Sequence, residues 1–244
     1  MKKLKIDVVV PVYNEEKDLQ KNITKLYQFL KKNFSRYNWQ IIIADNASTD
    51  KTLNIAHKIS QQFPEIKVLH LDQKGRGRAL KIAWSQSQSD IVSYMDLDLS
   101  SDLSFFPALI EPLASGKADI SIGSRLKRKA QVTGRPLLRE ITSRSYNLII
   151  KIMFLNHFED AQCGFKALTR QAAQKILPQA QNHQWFFDTE ILLIGEKAGY
   201  KIAELPIKWQ DDPTSTVKVL KTATEDIKGL IRLFFTRPWR KLKL

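Results

Sequence analysis

Residues 90–102 read DIVSYMDLDLSSD. Ile91 to Met95 is an unbroken run of the length and β-branched character of a buried strand, and it stops on two carboxylates, Asp96 and Asp98. On an extended chain the side chains of residues i and i+2 point the same way. Two carboxylates placed so repel each other unless a cation sits beside them, and Mg²⁺ is typically held by one or two carboxylates plus substrate phosphates. An isolated Asp-x-Asp is common in turns, so its weight comes from what surrounds it. Working outward, the same grammar recurs. Ile6–Val12, Gln40–Asp45, Lys67–Leu71, Asp90–Met95 and Ala118–Ile122 read as strands. Between them, Leu19, Ile23, Leu26, Tyr27 and Leu30 keep helical spacing. Leu53, Ala56 and Ile59 do so behind a cap at Ser48 or Thr49, and Ala79, Leu80, Ala83 and Trp84 do so after Gly75-Arg76-Gly77. Strand and helix in alternation predict an α/β fold: a mostly parallel central sheet with helices on both faces. Ligands of such sheets bind beyond the carboxyl ends of the strands, where Glu15, Asp45 and the Asp96/Asp98 pair fall.

Several functions are disfavoured. PVYNEE leaves the first strand without the glycines of a dinucleotide site, and no G-x-x-x-x-G-K-[ST] loop is present. One cysteine, Cys163, excludes a disulfide framework and multi-cysteine zinc. His57, His70, His157 and His183 are scattered, with no H-E-x-x-H pattern. The formal net charge of +14 predicts anionic partners, and its distribution narrows them. Residues 125–151 carry 8 basic against 1 acidic side chain and residues 217–244 carry 8 against 2, whereas residues 1–124 carry 17 against 14. Aromatics do not interleave with the basic runs as on a base-stacking platform, so no nucleic acid partner is expected.

The second half changes texture. Residues 125–140 are basic and turn-rich and read as a mobile loop; residues 141–155 read as an amphipathic helix; Gly199–Trp209 reads as a strand. Residues 217–236 read as a helix with Val217, Leu220, Ala223, Ile227, Leu230, Ile231 and Phe234 on one side and lysines on the other, ended by Pro238 and Trp239. The expected division is a catalytic domain over 1–216 and a basic amphipathic helix over 217–244 that contacts a membrane surface. The N-terminal apolar run is shorter than the ~7–15 residues of a signal-peptide core, and no segment reaches the ~18–20 apolar residues of a spanning helix. The expected location is therefore cytoplasmic, peripheral at the cytoplasmic face of a membrane.

Taken together, PVYNE, DNASTD, KGRGRAL, DLDLSSD and GSR, in this order and spacing, resemble the family 2 glycosyltransferases of the GT-A fold. The later DAQCGFK (160–166) and WFFDTE (185–190) are similar to segments of the polyprenyl-phosphate hexosyltransferases, the dolichyl-phosphate mannose and glucose synthases. The resemblance spans residues 6 to about 216. It implies inverting transfer of a hexose from a nucleotide-diphosphate sugar donor to a polyprenyl phosphate acceptor, with Mg²⁺ or Mn²⁺ as cofactor. It implies that Pro11, Tyr13 and Glu15 line the nucleotide pocket, with Asp45 near base or ribose. Asp96 and Asp98 are the implied metal ligands. Arg125 is placed at donor or acceptor phosphate, and Arg139 and Ser143 at the acceptor phosphate. Gln162 to Lys166, Asp188 and Glu190 shape the sugar pocket. The candidate catalytic residues are thus Asp98, Arg125, Arg139, Asp188 and Glu190. Three departures stand out: DNAS in place of the commoner DDGS, which turns one carboxylate into Asn46; Ser100 where mannose synthases carry Gln; and DDPTSTVK after the last strand, with Ser215 and Lys218 as partial stand-ins for an Arg and a Gly-Ser-Lys. The DAQCGFK and WFFD pattern leans toward glucose.

Two rivals remain open on the sequence. A glycosyltransferase of the same fold acting on a sugar hydroxyl would need a base, for which Asp188 or Glu190 could serve. A non-enzymatic binder of anionic membrane or nucleic acid would need no metal.

Overall fold

The structure is a computed structural model that describes residues 3–211 and 219–242. Its elements alternate as β1 (Lys5–Val12), α1 (Leu19–Asn33), β2 (Asn38–Asn46), α2 (Thr52–Gln62), β3 (Ile66–Leu71), α3 (Arg76–Gln86), β4 (Ile91–Met95), α4 (Phe106–Ala114) and β5 (Ile120–Ser124). Then follow β6 (Gln131–Thr133), α5 (Leu137–Phe154), β7 (Phe165–Thr169), α6 (Arg170–Ile176), α7 (Phe187–Lys197), β8 (Ile202–Pro206), β9 (Lys208–Gln210) and α8 (Val219–Thr236).

Seven strands form the main sheet in the order β3-β2-β1-β4-β7-β5-β8. All pairings are parallel except those of β7, which runs antiparallel between β4 and β5. The expected mostly parallel sheet is therefore present. The central strands β1 and β4 are mostly apolar and buried because both faces are covered. In β1, Val8 and Val10 enter one core with Ile23, Leu26, Ile41 and Phe106, while Val9 enters the other with Leu80, Trp84, Tyr94 and Ile191. The period of two thus distributes one strand between two helix layers.

Three features differ from the sequence reading. Strand β7 had no counterpart there, because Lys166 interrupts Phe165–Thr169; the lysine is fully buried and paired, so its charge does not mark a surface. The basic stretch 125–140 is not a mobile loop throughout. It contains β6, which pairs in parallel with β9, and α5 starts at Leu137 rather than 141. Gly199–Trp209 is divided at Ile207: β8 edges the main sheet, whereas β9 joins β6 in a two-stranded sheet. Helix α8 buries Leu230 and Leu233 in the same core as α7. Its backbone approaches so closely at Gly229 that an added Cβ would collide with the Phe186 ring.

Candidate active site

The carboxyl ends of β1, β2 and β4 converge on one edge, and each is followed by a non-glycine residue in the left-handed region: Asn14 (φ 56°), Ala47 (φ 59°) and Leu99 (φ 52°). Such conformations cost of order 1–3 kcal/mol each and persist where surrounding structure imposes them. Here polar side chains do the imposing. Asn14 N–H donates to Ser48 Oγ (3.0 Å), Thr49 N–H donates to Asn14 Oδ1 (2.8 Å), and Glu15 N–H donates to Thr52 Oγ1 (2.7 Å). Ser48 and Thr49 therefore serve the neighbouring loop rather than capping α2. The Thr52 N–H is accepted instead by Asp50 Oδ1 at 2.9 Å. Pro11 lies within β1, half-buried beside Ala44. The Lys74 ammonium stands 3.2 Å from the centroid of the Tyr13 ring.

Asp45, the penultimate residue of β2, has its side chain fully buried and lies in register with Val12 on one side and His70 on the other. Its Oδ2 accepts from His70 Nδ1 at 2.7 Å. Asn46, the residue standing where a second carboxylate was expected, accepts the Gly75 N–H at 2.5 Å and ties β2 to the start of α3.

The centre of the site is an ionic network. The Arg76 guanidinium, 8 % exposed, donates to Asp96 Oδ1 at 2.7 Å and to Asp188 Oδ2 at 2.6 Å, and stands 4.8 Å from the Trp185 ring. The other oxygen of Asp188 accepts from the Tyr94 hydroxyl and sits 3.0 Å from the Lys166 ammonium. Burial pushes the Asp188 carboxyl up, but Lys166 and Arg76 outweigh it and hold it below the usual range. Burial and the adjacent Asp188 drive the Tyr94 phenol well above its ordinary value. Burial raises the Cys163 thiol to about 12, which removes it as a nucleophile.

Asp96 is 42 % exposed, Asp98 lies in solvent, and Asp98 Oδ1 accepts the Ser100 N–H at 2.9 Å. Gly164 makes room for Asp96: a Cβ there would collide with Oδ2. Two accessible carboxylates at this spacing are the donor set of an oxygen-preferring divalent cation. Among the described residues, no third carboxylate, His or Cys completes a cluster. Phosphate oxygens and water would fill such a shell. These residues fit Mg²⁺ or Mn²⁺.

The remaining candidates divide into engaged groups. Arg125 grips Asp160 through its own N–H (2.9 Å), Nε (2.8 Å) and Nη2 (2.9 Å). Although burial raises the Asp160 carboxyl, Arg125 overrides it and brings it to about 2. On α5, Arg139 pairs with Asp211, while Ser143 Oγ accepts from Arg135 at 2.5 Å. Gln162 donates to Asp226 of α8 at 2.7 Å. Glu190 is fully buried, away from the Arg76 network. It accepts from Gln181 N–H (3.0 Å), Asn182 N–H (2.7 Å) and Arg232 (2.5 Å), which ties the segment before α7 to α8. Ser215 and Lys218 lie outside the described residues. Arg76, Tyr94, His70 and Asp160 were not among the sequence candidates. For Arg76 the available signal was its place between two glycines, each too close to residues 183–187 to accept a side chain.

Two helices in contact, α5 and α8, expose apolar side chains. Leu137, Leu138, Ile141, Leu148, Ile152 and Leu155 of α5 and its C-cap are exposed, as are Ile227, Ile231, Phe234 and Phe235 of α8. Among the described residues, no helix is long and apolar enough to cross a membrane.

Residues 7–177 match the family model of glycosyl transferase family 2. The chain is 30 % identical over 228 residues to glycosyltransferase AglD of Haloferax volcanii, covering 93 % of this chain and 36 % of that protein. It therefore spans about a third of that relative's length. It is 30 % identical over 234 residues to a dolichyl-phosphate beta-glucosyltransferase of Trichomonas vaginalis, covering 91 % of this chain and 72 % of the relative. To the Homo sapiens protein of that name it is 28 % identical over 254 residues, covering 96 % and 77 %. Among solved structures, glucosyl-3-phosphoglycerate synthase from Mycobacterium tuberculosis superimposes with a TM-score of 0.71 at 19 % identity, covering 95 % of this chain and 79 % of that one. It was crystallised with Mn²⁺, UDP-glucose and phosphoglyceric acid. The sheet order, the carboxylates at its edge and the match over 7–177 agree: the chain has the GT-A fold and belongs to glycosyl transferase family 2.

Proposed function

We propose that this chain transfers a hexose, glucose rather than mannose, from a nucleoside-diphosphate sugar to a polyprenyl phosphate of the dolichyl type, with inversion. The observation that carries the lipid acceptor is the apolar surface of α5. Leu137, Leu138 and Ile141 are exposed on the same two turns that bear Arg139 and Ser143. Soluble monomers rarely expose apolar patches above a few hundred Å². A water-soluble acceptor requires no such surface, whereas a phosphate on an isoprenoid chain arrives from a bilayer. The names of the dolichyl-phosphate relatives favour the same acceptor, and their beta-glucosyl activity favours glucose.

In this reading Asp96 and Asp98 hold a divalent cation, Mg²⁺ or Mn²⁺, which supplies Lewis-acid compensation for charge on the leaving diphosphate. Mn²⁺ accompanies UDP-glucose in the mycobacterial structure. Arg76 bridges Asp96 and Asp188 and fixes the position of both carboxylates. Arg139 and Ser143 orient the acceptor phosphate, which competes with Asp211 for the guanidinium. A phosphate monoester has a second pKa of about 6, so it reaches the site already ionised and needs no base. Attack on the face opposite the leaving group inverts the anomeric centre.

The hydroxyl-acceptor alternative is weaker because its two candidate bases are occupied. Asp188 is buried against two cations, and Glu190 accepts three hydrogen bonds. The test is a donor carrying labelled sugar, incubated with Mn²⁺ and a short polyprenyl phosphate. Label in the organic phase is the expected result; label confined to water-soluble glycan refutes the proposal.

A further inference from the structure

We propose that His70 determines which nucleobase the donor pocket accepts: by occupying one oxygen of Asp45 it leaves a single acceptor, which selects uracil over guanine. The proposal rests on the donor reading above and adds the nucleoside class to it. Asp45 is the penultimate residue of β2, near the carboxyl ends of β1 and β3, with Val12 and His70 as its register neighbours. Its side chain is fully buried. The Nδ1 of His70, 2.7 Å from Oδ2, faces a carboxylate that has only lone pairs to offer, so Nδ1 carries the proton and donates. Oδ1 is also buried, and among the described residues it accepts no hydrogen bond. A buried carboxylate oxygen without a donor is costly, and native structures rarely leave one so. An N–H brought by a ligand would satisfy it.

The two bases differ in what they bring. Guanine presents N1–H and its exocyclic amino group side by side, a pair that a carboxylate takes with both oxygens. Uracil presents one N3–H between two carbonyl oxygens, and a second bare carboxylate oxygen would face one of those carbonyls in repulsion. With Oδ2 committed to His70, Asp45 offers one acceptor for one donor. Tyr13 follows Val12, the register neighbour of Asp45, with the Lys74 ammonium over its ring, and the left-handed Asn14 and Ala47 set the loops after β1 and β2. Asn46, the departure from the family's acidic pair, is spent on the Gly75 N–H and adds no second carboxylate.

The experiment is calorimetric titration of UDP and of GDP, each with Mn²⁺, into the wild-type chain, His70→Ala and His70→Asn. Expected is a wild-type preference for UDP of about tenfold or more, the scale of one hydrogen bond to a charged group. In His70→Ala that ratio falls about tenfold, because Asp45 is loosened for uracil and bidentate for guanine. In His70→Asn it is kept, since the amide N–H reaches the position of Nδ1. The ratio is internal to each variant, so partial unfolding, which weakens both ligands alike, does not imitate the effect. Equal wild-type affinity for UDP and GDP, or an unchanged ratio in His70→Ala, overturns this proposal while leaving the donor reading intact. Failure of the wild type to bind either nucleotide overturns both.

Discussion

Two carboxylates of the site, Asp98 and Asp188, have opposite surroundings, and this separates function from stability at the level of single residues. Asp188 is the shared counterion of Arg76 and Lys166, both buried. Breaking a buried pair from one side leaves an uncompensated charge and costs about 3–5 kcal/mol. Asp188→Ala, which strands two cations, is expected to lose at least that much in urea denaturation. Asp98 is exposed, and its Ala variant is expected to melt with the wild type. Transfer by Asp98→Ala should nevertheless fall by a factor on the order of 100 or more, since Lewis-acid compensation is worth several kcal/mol of barrier. Wild-type transfer rates in Asp98→Ala would refute its role as a metal ligand.

At the scale of elements, α8 behaves as part of the domain and as its outer edge at once. Leu230 and Leu233 enter the core beside α7, and Asp226 reaches inward to Gln162. Burial raises the Asp226 carboxyl to about 6 from an ordinary 3.8. The sign follows from proton uptake: between pH 4 and 6 the folded chain holds a proton that the unfolded chain has lost, so stability from this group falls as pH rises through that window and stays lowered above it. Asp226→Asn, which keeps an acceptor for Gln162, is therefore expected to raise the melting temperature at pH 7.5, with the gain shrinking toward pH 4. A gain of equal size at both pH values, or a loss at pH 7.5, contradicts the assignment. The same helix leaves Ile227, Ile231, Phe234 and Phe235 outside, so docking on the domain and facing a bilayer are not alternatives for it.

At the scale of the molecule, the charge surplus and the apolar surface coincide. The segments 125–151 and 217–244 hold most of the +14. They also hold the exposed apolar residues of α5 and α8, with Arg128, Lys129, Lys151, Lys228 and Arg240 exposed among them. Apolar insertion with a basic rim is the physics of an anionic bilayer surface, and each lysine or arginine near it adds about 1 kcal/mol. Leu148→Ser combined with Ile152→Ser removes two side chains that are 57 % and 69 % exposed. That variant should keep its melting temperature and lose most of its sedimentation with phosphatidylglycerol vesicles. Added salt should weaken the wild type in the same assay. Binding unchanged in the double variant would exclude α5 as the contacting surface.

The sequence by itself determined a mostly parallel sheet, the place of its first strands along the chain and the acidic edge where they end; their order in the sheet, β3-β2-β1-β4, came from the structure. Strands covered on both faces are written as unbroken apolar runs, and a carboxylate after such a run needs no tertiary information to be located. That Asp96 and Asp98 share a side was expected from extended geometry, but β4 stops at Met95 and the chain turns there, with the Leu99 N–H donating to the Asp96 carbonyl at 3.2 Å. Only the tertiary structure decided what the charged residues do. Arg76 meets Asp188 across 112 positions of chain and His70 meets Asp45 across 25. Lys166 is a buried counterion that reads in sequence as a break in a strand. Glu190, a candidate base on its motif, is consumed by backbone N–H groups and Arg232. Helical periodicity marks an apolar stripe on α5 and α8, but whether a stripe is covered depends on which elements pack against it. Covalent neighbours fix local geometry; the partner of a charge and the cover of an apolar face are fixed by distant segments brought together in the fold.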